Sequence, residues 1–138
     1  KYFEKYPGVK NYLDNVVEKC QKDGYVRTYF NRKRVVNEIN ATSYMVREFG
    51  KRIAMNTPIQ GTATDIIKIA MIKINKFLEE NNYKSKMILQ IHDELIFDVH
   101  KDEIEILPNK ISEIMKKCVD FEVDLEVDMS IAKNWYEI

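Results

Sequence analysis

Two apolar-rich runs, Lys86 to His92 and Leu95 to His100, are separated only by Asp93-Glu94. A two-residue gap leaves one local solution, an antiparallel hairpin with a tight loop, and it places two acids at the tip. Neither acid belongs to the Asn-Gly or Asp-Gly pairs that such a loop prefers, and the adjacent carboxylates repel each other. The tip is open to two readings. Exposed carboxylates flanked by His92 suit a hard divalent cation such as magnesium, which takes carboxylate oxygens and keeps waters; alternatively they are solvated acids of a surface turn.

Around this hairpin the chain reads as helix and strand in turn. Val9, Leu13, Val16, Val17 and Cys20 recur at helical spacing from Pro7 to Gly24, a residue suited to a helix C-terminal stop. Tyr25 to Thr28 and Val35 to Ile39 are β-prone and flank the polar Asn31-Arg32-Lys33-Arg34, which predicts a second hairpin with a basic tip. That tip either meets phosphate or is a solvated turn. A helix from about Thr42 is expected to break at Pro58, which lacks an N–H. A new helix is expected to start there, with Thr57 as cap and Gln60 as capping-box partner.

That second helix carries a wide apolar stripe from Ile59 to Leu78 and ends at Asn81-Asn82. Ile104 to Met115 predicts another helix, regular from Pro108, and Val123 to Ile131 alternates like a closing strand. The fold class that follows is α+β, an antiparallel sheet with helices packed on it.

Composition limits the function classes. The 138 residues contain 45% hydrophobic residues, and 22 basic residues balance 22 acidic ones, so there is neither a disordered composition nor a global basic field. No apolar run approaches the ~20 residues of a membrane-spanning helix. Cys20 and Cys118 form no CxxC, and with His92 and His100 they make no zinc-ligand spacing, so reduced thiols are the default reading. The opening KYFEKYPGVK has no initiator Met, apolar signal core or cleavage site and reads as cut from something longer. Lysines outnumber arginines 17 to 5, and isoleucine reaches 17, a bias that A/T-rich codons produce.

The hairpin residues carry a family resemblance. Gln90-Ile91-His92-Asp93-Glu94-Leu95-Ile96-Phe97 resembles motif C of the family A DNA polymerases, the DNA polymerase I type. Upstream, Arg52-Ile53-Ala54-Met55-Asn56-Thr57-Pro58-Ile59-Gln60-Gly61-Thr62-Ala63 resembles the family segment R-x-x-x-N-x-P-x-Q-G-T-A. Tyr6-Pro7-Gly8-Val9, Gly24-Tyr25-Val26-Arg27-Thr28 and Asn134-Trp135 resemble further family stretches in the right order. Asn31 stands where the family hairpin usually has Gly, Lys51 replaces a common Glu, and Ser130 and Ala132 replace tail glycines.

The resemblance implies a fingers-type helix and basic hairpin over residues 1–50 and the C-terminal part of a polymerase palm over 51–138. It implies template-directed transfer of nucleotides from dNTPs to a primer 3′-hydroxyl with two Mg2+ ions. Asp93 takes the position of the catalytic, metal-binding aspartate and Glu94 that of a supporting catalytic acid. His92 takes the place of a residue beside the primer terminus, its other reading being a core histidine. Arg52, Asn56 and Gln60 take the places of primer-template contacts on the minor-groove side, where acceptors occur in every base pair. Steps of four residues at ~100° each return to within about 40°, so on an unbroken helix the three share a face.

Motif A and motif B have no match here. The resemblance therefore implies that the remainder of the polymerase chain supplies the other half of the site and that this segment is inactive alone. A non-catalytic, weakly DNA-binding module and a structural α+β domain are the alternatives. A bacterial, cytoplasmic location is the expectation, with phage or organellar origin as the other options.

Overall fold

The computed structural model describes residues 2–137. Lys1 and Ile138, the outer bounds of the expected two-part division, lie outside the described residues. In chain order come α1 (Tyr2–Lys5), α2 (Pro7–Asp23), β1 (Tyr25–Arg27), β2 (Lys33–Val35), a 3-10 turn (Asn37–Asn40) and α3 (Tyr44–Glu80). β3 (Lys86–Ile91), β4 (Glu94–Asp98), a second 3-10 turn (Lys101–Glu103), α4 (Leu107–Lys116) and a last 3-10 turn (Trp135–Glu137) follow. The class is α+β as expected, with its strands in two separate two-stranded antiparallel ribbons. Among the described residues no helix is long and apolar enough to cross a membrane. The chain forms two compact units that divide between Asp65 and Ile66.

In the first unit, Pro7 opens α2 and Gly24 closes it in the left-handed region at φ 76°, its N–H donating to the Cys20 carbonyl at 2.8 Å. Cys20, Val26, Val36, Ile39 and Ala54 make a small buried core, with Val16, Val17 and Ile53 packed against it. β1 pairs with β2 from Tyr25↔Val35 to Arg27↔Lys33. β2 stops short of the expected Ile39, because Asn37–Asn40 coils into a 3-10 turn that drops Ile39 into the core. Asn31 sits at φ 68° in the connecting loop. That explains how it replaces a glycine, since Asn tolerates the left-handed region better than most residues.

The expected break at Pro58 does not occur: α3 runs unbroken through it. Proline deletes one backbone bond, the one the Ala54 carbonyl would accept, and the turns on either side are otherwise helical. Thr57 is an interior residue whose hydroxyl donates to the Ile53 carbonyl at 2.7 Å, so it is not a cap and Gln60 has no capping-box role. Burial of Ala54 and Thr57 holds this stretch against propensity.

In the second unit, Ala70, Ile74 and Leu78 of α3 pack with Leu107 and Ile111 of α4 and with Cys118, and Leu95 and Phe97 of β4 cover this core. β3 and β4 pair from Lys86↔Asp98 to Ile91↔Glu94, with a bulge at Ile88. The hairpin tip is therefore His92-Asp93, one residue earlier than expected, and Glu94 belongs to β4. His92 takes the positive-φ position at 52°, which His tolerates better than most side chains. The expected strand Val123 to Ile131 is irregular. Of its alternating apolar residues, Leu125 and Val127 are half-buried, Leu125 against the core, while Val123, Met129 and Ile131 are exposed, and among the described residues β3 and β4 pair with each other and with no further strand.

Candidate active-site turn and nucleic-acid face

The tip of the β3–β4 hairpin presents His92, Asp93 and Glu94, all exposed. The Gln90 side-chain amide donates to the His92 carbonyl at 3.1 Å and braces the turn. At the opposite end the hairpin is pinned. Glu103 accepts the Lys84 amide at 2.9 Å, the Ser85 amide at 3.0 Å and the Ser85 hydroxyl at 2.5 Å, while Ser85 Oγ accepts the His100 amide at 2.8 Å. Partial burial pushes the Glu103 carboxyl upward. The Ser85 hydroxyl, the Lys84 and Ser85 amides and nearby His100 outweigh that and hold it below the ordinary glutamate range.

Asp93 and Glu94 thus stand side by side at the end of a braced ribbon, one at the tip and one opening β4. Their oxygen donors and exposure fit a hard cation with retained waters. Among the described residues no group of three or more His, Cys, Asp or Glu is gathered to complete such a ligand set.

Arg52, Asn56 and Gln60 are all exposed on the first unit's part of α3. Because the helix is continuous, they form one polar stripe. The Arg52 guanidinium lies 5.9 Å from the Phe49 ring centroid. The turn residues His92, Asp93 and Glu94 belong to the second unit and this stripe to the first.

The four tip residues of the β1–β2 hairpin, 31–34, stay exposed, but two of them, Arg32 and Arg34, hydrogen-bond to α3. Arg32 Nε donates to Asp65 Oδ1 at 2.7 Å and its Nη2 to the Gly61 carbonyl at 3.2 Å, while Arg34 Nη1 donates to Thr57 Oγ1 at 3.3 Å. Lys33 Nζ lies 3.9 Å from the Tyr25 ring centroid. Sequence reasoning missed this docking, although Thr57, Gly61 and Asp65 recur every four residues and so form a small or polar stripe of their own.

Residues 1–137 match the model of DNA polymerase family A, and the chain belongs to that family. Proteins named DNA polymerase I resemble it throughout: that of Caldicellulosiruptor bescii is 48% identical over 137 residues, and that of Lactococcus lactis subsp. cremoris 45% over 136. Each comparison covers 99% of this chain and 16% of the relative, so the chain spans about a sixth of the length of the curated relatives it matches. The POL domain of Pol1 from M. smegmatis, solved in complex with DNA primer-template and dNTP, superposes with a TM-score of 0.85 at 40% identity. That match covers 91% of this chain and 22% of the other.

Proposed function

We propose that this segment serves a DNA-directed DNA polymerase that joins dNTPs to a primer 3′-hydroxyl, with residues 1–50 as fingers-type structure and 51–138 as the C-terminal part of the palm. The observation that carries the reading is Asp93 standing exposed at the tip of a hairpin pinned at its base by Glu103. Asp93 is the metal-holding carboxylate and Glu94 its supporting acid. When bound, a pair of magnesium ions supplies Lewis-acid stabilisation of the transferring phosphoryl charge and activates the hydroxyl. Their remaining ligands come from elsewhere in the full-length polymerase. His92 lies beside the primer terminus, and Arg52, Asn56 and Gln60 donate to minor-groove acceptors, testing pair shape without reading sequence.

The test is Asp93→Ala in a full-length polymerase carrying this segment. Turnover collapses while primer-template affinity changes little, because the lost interaction is made chiefly in the transition state. The side chain is exposed, so folding survives. Near-normal incorporation would remove Asp93 from the active site. The isolated 138-residue chain, holding one part of the carboxylate set, does not extend a primer; incorporation above that of its own Asp93→Ala variant would contradict this.

A further inference from the structure

Pro58 falls between Asn56 and Gln60. A proline inside a helix leaves the carbonyl four residues earlier without its backbone partner, and such sites are where helices bend. Any bend there changes the angle between the side chain before it and the side chain after it. The presentation of Asn56 relative to Gln60 thus depends on what stiffens this turn.

The β1–β2 hairpin spans it. On the N-terminal side of Pro58, Arg34 grips Thr57 Oγ1 at 3.3 Å. On the C-terminal side, Arg32 grips Asp65 at 2.7 Å and the Gly61 carbonyl at 3.2 Å, and the Tyr29 amide donates to Thr62 Oγ1 at 2.9 Å. Arg34 is fixed within the ribbon by its pairing with Val26, and Arg32, one residue before β2, is held to the end of β1 by the Thr28 amide donating to the Arg32 carbonyl at 3.0 Å and the Arg32 amide donating to Thr28 Oγ1 at 3.1 Å. Gly61 allows the approach: a Cβ there would lie 2.7 Å from Thr28 Cγ2. Arg32 makes its two bonds with a planar fork, which a lysine cannot reproduce.

We infer that Arg32 is a positioning residue for the minor-groove stripe: with Arg34 it splints α3 across Pro58 and sets the angle at which Asn56 and Gln60 meet the primer-template. The inference rests on the reading of that stripe given above. Arg32 itself does not contact DNA in this scheme.

The test compares Arg32→Ala, Arg32→Lys, Asn56→Ala, Gln60→Ala and the double variant Arg32→Ala/Gln60→Ala in the full-length polymerase. The readouts are the ratio of extension from mismatched and matched primer ends, and the salt dependence of DNA binding. Both Arg32 variants shift the ratio roughly three- to tenfold in the same direction as Asn56→Ala and Gln60→Ala, and the double variant shows non-additivity, the mark of coupled sites. Arg32→Lys, which keeps the charge, carries the test if Arg32→Ala fails to fold, and full retention of discrimination by lysine would overturn the role of the fork.

An unchanged ratio in the Arg32 variants, with Gln60→Ala active in the assay, overturns the splint and leaves the stripe standing. So does a uniform loss of DNA affinity with a salt slope reduced by about one, the signature of a phosphate contact. If Asn56→Ala and Gln60→Ala both leave the ratio unchanged, the stripe reading fails, and the splint fails with it.

Discussion

The Ser85 hydroxyl donates to the Glu103 carboxylate at 2.5 Å while accepting the His100 amide at 2.8 Å. One side chain thereby joins the entry of β3 to the exit of β4. The pair sits at the end of the ribbon remote from Asp93, so the exposed tip is steadied by bonds made at the opposite end. Exposed hairpins of two strands are marginal by themselves. Here the outer end is closed by a charged acceptor and the inner face by Leu95 and Phe97.

Glu103 makes the base of the hairpin pH-dependent. Its carboxyl is held below the ordinary glutamate range, so its contribution is fully present above the unfolded-state pKa of ~4.3 and is lost as pH falls through the folded value. Glu103→Gln should therefore lower hydrogen-exchange protection of the Lys84–Asp98 amides near neutral pH. The gap between variant and wild type should narrow as pH falls below 4. A gap that widens on acidification would contradict the assignment.

Gly50 and Gly8 should respond oppositely to alanine. A Cβ on Gly50 would lie 2.7 Å from the Glu38 carbonyl carbon and the Ile39 nitrogen, backbone atoms that cannot rotate away, whereas Gly8 has nothing within 4 Å. Gly50→Ala should cost about 1–3 kcal/mol through forced separation of α3 from the Asn37–Asn40 turn. Gly8→Ala lies within α2 and should be neutral or gain up to ~1 kcal/mol. Thermal unfolding of the two variants beside wild type measures the contrast.

Cys20 and Cys118 should resist alkylation in the folded protein. Both thiols are buried, and that burial pushes each pKa up, with Asp23 adding to the effect at Cys20 and Lys73 partly opposing it at Cys118. Thiolate is the reactive form, so labelling by iodoacetamide at pH 8 should be slow until denaturant is added. Rapid labelling of either cysteine without denaturant would contradict the burial described here.

What could be read from the sequence follows the locality of the signal. Pro7 and Gly24 bracket α2 and Leu107-Pro108 opens α4, because these residues act on their own backbone. Pro58 misled for the same reason: its local cost is real, but Ala54 and Thr57 are buried through contacts formed only in the folded chain. The Val123 to Ile131 alternation misled because period-two apolar residues cannot specify a pairing partner, and without one only Leu125 and Val127 gain partial burial. Asp93 and Glu94 were legible as an acidic hairpin, with the tip misplaced by one residue because His92 accepts the positive φ. The Arg32–Asp65 pair, 33 residues apart in the chain, left only the faint Thr57-Gly61-Asp65 spacing.

The loss of the capping role sharpens what is expected of Arg52, Asn56 and Gln60. All three are exposed on an unbroken helix, so their alanine variants should keep thermal stability within about 0.5 kcal/mol of wild type, the usual range for such surface positions. Gln60→Ala in particular should not show the larger drop that removal of a capping-box partner brings. Their effect should instead fall on extension. A neutral hydrogen bond is worth ~0.5 to 1.5 kcal/mol and a charged one ~1.5 to 3, so Arg52→Ala should slow matched extension most. Since the acceptors in the minor groove are common to all correct pairs, the losses should be nearly independent of template sequence yet sensitive to a mismatch at the primer end. Melting temperature and matched-against-mismatched extension, measured on the same three variants, separate the two effects. Unchanged extension in all three would show that the stripe is not a DNA-contact face.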